Sequence, residues 1–518
     1  MSNLWSSLER AARLHPDAIA VVDGARSYTY REFRARAAAL ALWLDNEGVK
    51  RGDRISILSW NSHYYLECYF AAAGLGLVLN PLNTRLHARE IEDIVRDCGA
   101  RVLLAQAGFE SIERALKEAD TPVRLVARLG ESLEPALQHW RSGSDAFVPI
   151  ETDADDVAQL YYTSGTTGVA KGVMLSHRNV LVHAQGAIAE LGLSERDTWA
   201  HIAPLFHLAD AWATFAITHV GGRHVVLPKF EAEGALTLIE ASRTTITNLI
   251  PTMLNLMVKH PSASGRDFRA LRLILSGGAP IAPDVVRAIL AVFGCDYVQT
   301  YGMTETSPYL TLSLLHEHLK TLPPEEQLAY KCKTGRAFTT IELRVVDEQG
   351  RDVPRDERTV GEIRVRGETV TRGYWNRPDE TARAFEDGWL KTGDLAVIDA
   401  EGYVTIVDRA KDMILSGGEN VYSTEVENAL YAHPAVLEAA VFGVPDERLG
   451  EAVRAAVVLR AETHASAADL IAFCRTQIAA YKAPRAIDFV AELPRTGSGK
   501  IQKRALREAF GRGRERAL

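Results

Sequence analysis

Two periods of apolar residues alternate along this chain, and each change of period marks the edge of an element. Residues 30–44, rich in alanine, leucine and arginine, predict a helix; 53–58 reads as a strand and 64–75 as a buried helix. Residues 86–95 and 102–105 repeat the helix-then-strand unit, and a more polar interval runs from there to Asp156. From Leu160, residues suited to a buried strand lead into a loop of glycines and hydroxyls. Ser176 can then cap a helix whose apolar positions Leu181, Ala184, Ile188 and Leu191 follow helical spacing. A strand over 246–250 enters a proline-led helix start at Pro251. Another over 271–275 turns through Ser276, Gly277, Gly278, Ala279 and Pro280 into a helix with Val286, Ile289, Leu290 and Phe293 on one face.

This alternation predicts an α/β fold built on doubly wound sheets. Near 408–411 the pattern changes. A helix from Glu425, strands over 436–444 and 452–459, a helix capped by Ser466 and a strand over 487–490 predict a small α+β unit. At 518 residues the chain is too long for one core of ordinary size. The expected division is a large, multi-subdomain amino-terminal domain over 1–408 and a small, mobile α+β domain over 409–518.

Composition narrows the class. Hydrophobic residues at 47% and charged residues at 24% describe a soluble globular chain, and a net charge of −8 argues against a nucleic-acid partner. Cys68, Cys98, Cys295, Cys332 and Cys474 are widely spaced, with no Cys-x-x-Cys pair, and read as reduced, mostly buried thiols. The apolar run at 37–44 is too short to span a bilayer, and residues 1–14 mix Glu9, Arg10 and Arg13 with apolar residues, unlike a signal peptide. The expected location is cytoplasmic, with no transmembrane segment; a homodimer is an open possibility.

Candidate chemistry gathers first in Thr163-Ser164-Gly165-Thr166-Thr167-Gly168-Val169-Ala170-Lys171-Gly172. Glycines let a backbone aim its N–H groups at an anion, hydroxyls add donors and Lys171 adds charge, so the loop reads as a phosphate cradle for a nucleotide triphosphate. It is not a Walker A loop, which would need Gly-Lys-Ser/Thr at its end. A plain surface turn between a strand and a helix would explain the glycines but not three threonines, a serine and a lysine. A second run, Gln299-Thr300-Tyr301-Gly302-Met303-Thr304-Glu305-Thr306, sets an aromatic, a hydroxyl and a carboxylate within five residues, the parts of a nucleotide half-site with Mg²⁺.

Tyr-Thr-Ser-Gly-Thr-Thr-Gly-x-x-Lys-Gly resembles the phosphate-loop signature of the adenylate-forming superfamily, which includes acyl- and aryl-CoA synthetases, peptide-synthetase adenylation domains and firefly luciferases. Further segments resemble the same family in its order, over nearly the whole chain: Pro204-Leu205-Phe206-His207, Gly277-Gly278-Ala279-Pro280, Tyr301 to Glu305, Arg372-Gly373-Tyr374-Trp375, Thr392-Gly393-Asp394, Asp408-Arg409-Ala410-Lys411 and Pro494-Arg495-Thr496-Gly497-Ser498-Gly499-Lys500.

The resemblance implies ATP, Mg²⁺ and coenzyme A as cofactors and co-substrates. It places adenine against Gly278, Ala279 and Pro280 and stacks it on Tyr301; Thr304 meets the α-phosphate and Glu305 the metal. Asp394 grips the ribose hydroxyls, as a carboxylate with two acceptor oxygens can, and Arg409 reaches the same sugar. Lys500 bridges substrate carboxylate and α-phosphate, while Lys503, Arg504 and Arg507 beside it are expected to be solvated. Lys411 is the hinge about which the small domain rotates, bringing Gly417, Gly418 and Glu419 to the coenzyme A tunnel. His207, Trp212, Ile250, Gly277, Gly302 and Met303, with Phe206, wall the acyl pocket, and the glycines leave room in it. For His207 a satisfied core histidine is an equal alternative, and His201 is a weaker candidate.

The chemistry implied is carboxylate activation: an acyl-adenylate forms from ATP and a carboxylic acid, and the acyl group then passes to coenzyme A. The walls supply apolar area with no carboxylate for an amino group, so the expected acid is a medium- or long-chain fatty acid or an aryl-alkanoate. Two other readings stay open. One is a synthetase that passes the adenylate to an amine; the other is a catalytically silent nucleotide-binding module.

Overall fold

The structure, a computed structural model, describes residues 3–164, 170–279, 281–417, 419–446, 448–495 and 501–510. Two compact units emerge: Met1–Leu343 with Val365–Leu390, and Arg344–Arg364 with Lys391–Leu518. The fold is α/β, as the alternating pattern predicts.

The first unit is built on two sheets. The nine-stranded sheet has the order Arg336–Ala337, Tyr309–Leu312, Asp296–Gly302, Leu273–Gly277, Ile246–Leu249, Thr198–His201, Arg223–Val226, Ile19–Asp23, Arg26–Thr29. From Asp296–Gly302 to Ile19–Asp23 the strands run parallel, and antiparallel pairs close both edges. Parallel strands need crossovers, and helices such as Pro251–Val258 and Pro283–Phe293 supply them. Leu249, Leu254, Ile274, Val286 and Ile289 bury one face of this sheet.

The six-stranded sheet has the order Leu125–Leu129, Val102–Gln106, Arg54–Leu58, Val78–Pro81, Val157–Ser164, Ala170–Ser176, parallel except for the last pair. The loop expected to hold phosphate therefore joins two antiparallel strands, whereas the pattern predicted no second strand before the helix. Residues 105–156 also hold more structure than their polarity suggests: helices Glu110–Glu118 and Leu133–Trp140 flank strand Leu125–Leu129. Each buries one narrow stripe, Leu116 in the first helix and Leu133 with Leu137 in the second, so mean polarity hides the periodicity.

The helix expected after Ser176 is His177–Leu191. Ser176 Oγ accepts from Asn179 N at 3.1 Å, and the Asn179 side chain accepts from Ser176 N at 2.9 Å. None of the five cysteines is in a disulfide, and four are buried. Among the described residues no helix is long and apolar enough to cross a membrane.

In the second unit, Glu419–Val421, Ile414–Ser416, Gly450–Leu459 and Val436–Asp446 form an antiparallel sheet, with Ala486–Phe489 parallel beside Gly450–Leu459. Helices Ser423–Tyr431 and Ala467–Gln477 cover it; Val426, Leu430, Val441, Val457 and Leu470 share one core. Two basic residues expected to be solvated are not. Lys503 Nζ lies 2.8 Å from Glu427 and 2.5 Å from Ser423 Oγ, and Arg507 pairs with Asp412 at 2.6 Å. Helix Lys503–Phe510 lays its buried Leu506 on the sheet and brings these cations with it, while Arg504 stays exposed beside Glu508.

Candidate active site

The carboxyl ends of neighbouring parallel strands collect most of the first unit's candidates, the edge at which open α/β sheets bind ligands. Tyr301 and Gly302 end strand Asp296–Gly302, with Met303, Thr304 and Glu305 just beyond. Gly277 ends the adjoining strand and pairs in register with Thr300; Gly278 and Ala279 follow it. Ile250 follows the next strand, and His207 lies beyond Thr198–His201 at the start of helix Leu208–Val220. Trp212, on that helix, packs its ring on Trp199 and Tyr309 at 5.0 and 5.1 Å.

Glycine is needed here for stated reasons. A Cβ on Gly277 would stand 2.3 Å from Thr300 Oγ1, and one on Gly302 would stand 1.9 Å from the Pro308 carbonyl. The crowding comes from adjacent strands. Gly278 has φ +85° and a Cβ there would meet only Ile250, at 4.0 Å, so its backbone lies open to close approach.

Glu305 is 7% exposed and sits inside a polar chain. Its Oε1 accepts from Tyr374 Oη at 2.9 Å, and its carbonyl accepts from Thr371 N at 2.7 Å. Residues 371–375 reach it by running beside strand Ala170–Ser176. Tyr374 bridges Val173, Trp375 N donates to the Gly172 carbonyl at 2.7 Å, and Met174 N donates to Gly373 at 3.1 Å. Lys171, paired in register with Thr163, places its ammonium 5.4 Å from the centre of the Tyr374 ring and pairs with Glu380. Burial, reinforced by the Glu305 charge, pushes the Tyr374 phenol well above its ordinary value, so it stays a donor. The Lys171 ammonium holds the Glu380 carboxyl below the usual range.

Two members of this polar chain were not expected in these roles. Tyr374 belongs to a quoted segment, but nothing local says that it faces Glu305. Glu380 has no signal at all, since it reaches Lys171 across 209 positions.

Among the described residues no cluster of three His, Cys, Asp or Glu could hold a metal. Mg²⁺ needs none, because it binds through one or two carboxylates and substrate phosphates. A buried carboxylate held by a phenol fits that donor set.

In the second unit, Asp394 and Arg409 face each other across an antiparallel pair, with Arg409 Nε 3.1 Å from Asp394 Oδ1. Lys411 follows; burial and then the Arg409 charge draw its ammonium below the ordinary lysine range. Gly417, at φ +64°, donates to the Leu449 carbonyl at 2.8 Å, and Glu419 pairs in register with Ser416. Back in the first unit, Ser164 pairs with Ala170 at the end of its strand. Gly165, Thr166, Thr167, Gly168, Pro280, Gly418 and Lys500 lie outside the described residues.

His201 has a structural explanation. It is fully buried, with Nδ1 2.7 Å from Asp210 and Nε2 3.0 Å from His224, in a chain that ends on Thr218 Oγ1 and Trp199 Nε1.

Comparison with known proteins identifies the family. The AMP-binding enzyme family matches residues 8–375, and the AMP-binding enzyme C-terminal domain matches residues 425–500. The chain is 38% identical over 503 residues to a feruloyl-CoA synthase of Amycolatopsis sp, spanning 97% of this chain and 98% of that protein. It is 36% identical over 524 residues to a long-chain-fatty-acid–CoA ligase of Thermus thermophilus, spanning 98% and 95%. The fold superposes on ATP-bound MatB from Rhodopseudomonas palustris with a TM-score of 0.88 at 32% identity, covering 99% of each chain. With the family match spanning most of its length and its sheet edges carrying the nucleotide candidates, this chain belongs to the AMP-binding enzyme family.

Proposed function

We propose that this protein, by kinship an AMP-forming acid–thiol ligase, joins a carboxylic acid to coenzyme A through an acyl-adenylate, and that the acid is a medium- or long-chain fatty acid or an aryl-alkanoate. The observation that carries this reading is the polar chain Lys171–Tyr374–Glu305, which gathers a cation, a donor and a buried carboxylate beside Tyr301 and Thr304.

In the first half-reaction a carboxylate oxygen attacks the α-phosphorus of ATP and pyrophosphate leaves, giving the mixed anhydride. In the second the coenzyme A thiol, losing its proton, attacks the acyl carbonyl and AMP leaves. Neither step needs an enzyme nucleophile; positioning and opposed charge suffice. Mg²⁺, when bound, would neutralise phosphate charge, and Glu305 would hold it. Tyr374 fixes the Glu305 carboxylate by donating to one oxygen. Lys171 opposes phosphate charge, and Thr304 donates to the α-phosphate. Asp394, oriented by Arg409, accepts from the ribose hydroxyls. Lys500 draws the carboxylate to the α-phosphate, and Lys411 is the hinge of the carboxy-terminal domain over 409–518. Gly417, Gly418 and Glu419 meet the thiol co-substrate. The setting is cytoplasmic.

Relatives named for feruloyl and for long-chain fatty acyl groups support both acid classes. Pyrophosphate release from ATP across a panel of straight-chain and aryl acids, with coenzyme A or an amine as acceptor, tests the reading. Release with an apolar acid and a requirement for coenzyme A are expected. Turnover with an amine alone, or preference for acetate or an amino acid, would overturn it.

A further inference from the structure

Trp212, expected to wall the acyl pocket, and Asn248, which was not, converge on one carbonyl. Ala209 O accepts from Trp212 Nε1 at 3.1 Å and from Asn248 Nδ2 at 2.5 Å, and Ala209 lies two residues after His207. Asn248 shares its sheet face with Ile250, because side chains alternate along the strand and the chain stays extended at Ile250, with φ −79° and ψ 154°. The amide of Asn248 thus shares the Ala209 carbonyl with Trp212 and a sheet face with Ile250, two of the expected pocket walls. Ala209 beside it is exposed, although most of its neighbours are buried.

Asn248 itself is 4% exposed, and its Oδ1 has no hydrogen-bond partner among the described residues. The orientation of the amide is set chemically: the Ala209 carbonyl can only accept, so the NH₂ faces it and Oδ1 points away. A buried acceptor without a donor is costly, and apolar substrates would leave it so. A strand position in this layer could carry valine or leucine at no such cost.

Resting on the acyl-pocket reading above, we propose that Asn248 selects the acid: its Oδ1 accepts a hydrogen bond from a hydroxyl at the substrate's distal end, so the preferred substrates are hydroxylated aryl acids and not plain alkyl chains. Sites built to bind a substrate hydroxyl reject the analogue that lacks it, because the protein's own group is left buried and unpaired. Trp212 offers an aromatic flank, and the small Ala209 leaves the approach open.

The test compares 3-(4-hydroxyphenyl)propionate, 3-phenylpropionate and 3-(4-methoxyphenyl)propionate by pyrophosphate release in the native enzyme and in Asn248→Leu. The methoxy compound can accept but not donate. The native enzyme is expected to favour the hydroxyl compound by about tenfold or more in kcat/KM over both others. Asn248→Leu should bring the hydroxyl and unsubstituted acids within about twofold of each other, with the loss falling on the hydroxyl compound. Should the leucine variant fail to fold, the three-acid comparison in the native enzyme decides alone. Equal rates for the hydroxyl and unsubstituted acids, or a hydroxyl preference that survives Asn248→Leu, overturn this inference while leaving carboxylate activation intact. Absence of pyrophosphate release with every acid would instead overturn the function on which it rests.

Discussion

Tyr374 is the residue through which the site is assembled. It carries no charge of its own, yet it touches both a buried carboxylate and, through its ring face, a lysine. Removing its hydroxyl in Tyr374→Phe takes one donor from Glu305, an interaction with a charged group worth about 1.5–3 kcal/mol. Adenylation measured as pyrophosphate release should fall about 10- to 100-fold, with a higher Mg²⁺ requirement. A variant with native rates at every Mg²⁺ concentration would show that Tyr374 is only a packing residue. Two buried histidines bear on stability in acid. Burial lowers His177 to about 4 and His183 to about 3 from an ordinary 6.5. Below pH 6.5 the unfolded chain takes up protons that the folded chain refuses, so stability falls as pH falls, until the folded values are reached. Between pH 7.5 and 5.5 each should withdraw about 1.4 kcal/mol. Urea unfolding at the two pH values checks this; a midpoint that does not move would mean that both rings find protons in the folded state.

Helix His177–Leu191 shows how an element can carry a site it does not line. Its capping box uses Asn179 where glutamate is commoner, and the same amide also ties down a distant segment, because Nδ2 donates to the carbonyls of Glu368 and Val370 at 2.7 and 3.1 Å. Those residues precede Thr371, whose N–H holds the Glu305 carbonyl. Asn179→Ala therefore loses its half of the capping box and two part-buried hydrogen bonds, and should cost about 2–3 kcal/mol in unfolding free energy. Adenylation should weaken with it, while Ser176→Ala, which removes the cap alone, should cost about 1 kcal/mol with little change in rate. Equal kinetic effects from the two variants would separate the helix from the 368–371 segment.

At the scale of the whole molecule, two half-reactions must be served by one set of residues, and the proposed roles of Lys500 and Lys411 divide them. Lys500→Ala should remove most adenylation and leave thioester formation from supplied acyl-adenylate nearly intact, since the lysine is needed only where carboxylate meets α-phosphate. Lys411→Pro restricts backbone torsion at the proposed hinge and should do the reverse. Single-turnover assays of each half-reaction check both; equal losses in the two steps for Lys500→Ala, or no loss for Lys411→Pro, would refute the division.

Periodicity and local chemistry suffice for much of this protein, because they need no distant partner. The 3.6-residue stripe of the helix after Ser176, the proline that starts Pro251–Val258, the Ser466 cap and the order of the nucleotide motifs can all be read from neighbouring residues. Long-range pairing is decided by the fold. Strand Ala170–Ser176 is a strand because Val157–Ser164 pairs with it, Tyr374 meets Glu305 across 69 positions, and Glu380 meets Lys171 across 209. Lys503 reads as one more solvated cation until helix Lys503–Phe510 carries it to Glu427. Asn248 reads as an ordinary strand residue until the Ala209 carbonyl turns its amide and leaves Oδ1 facing inward. In each case the sequence determines the residue's chemistry, and the tertiary structure alone supplies its partner.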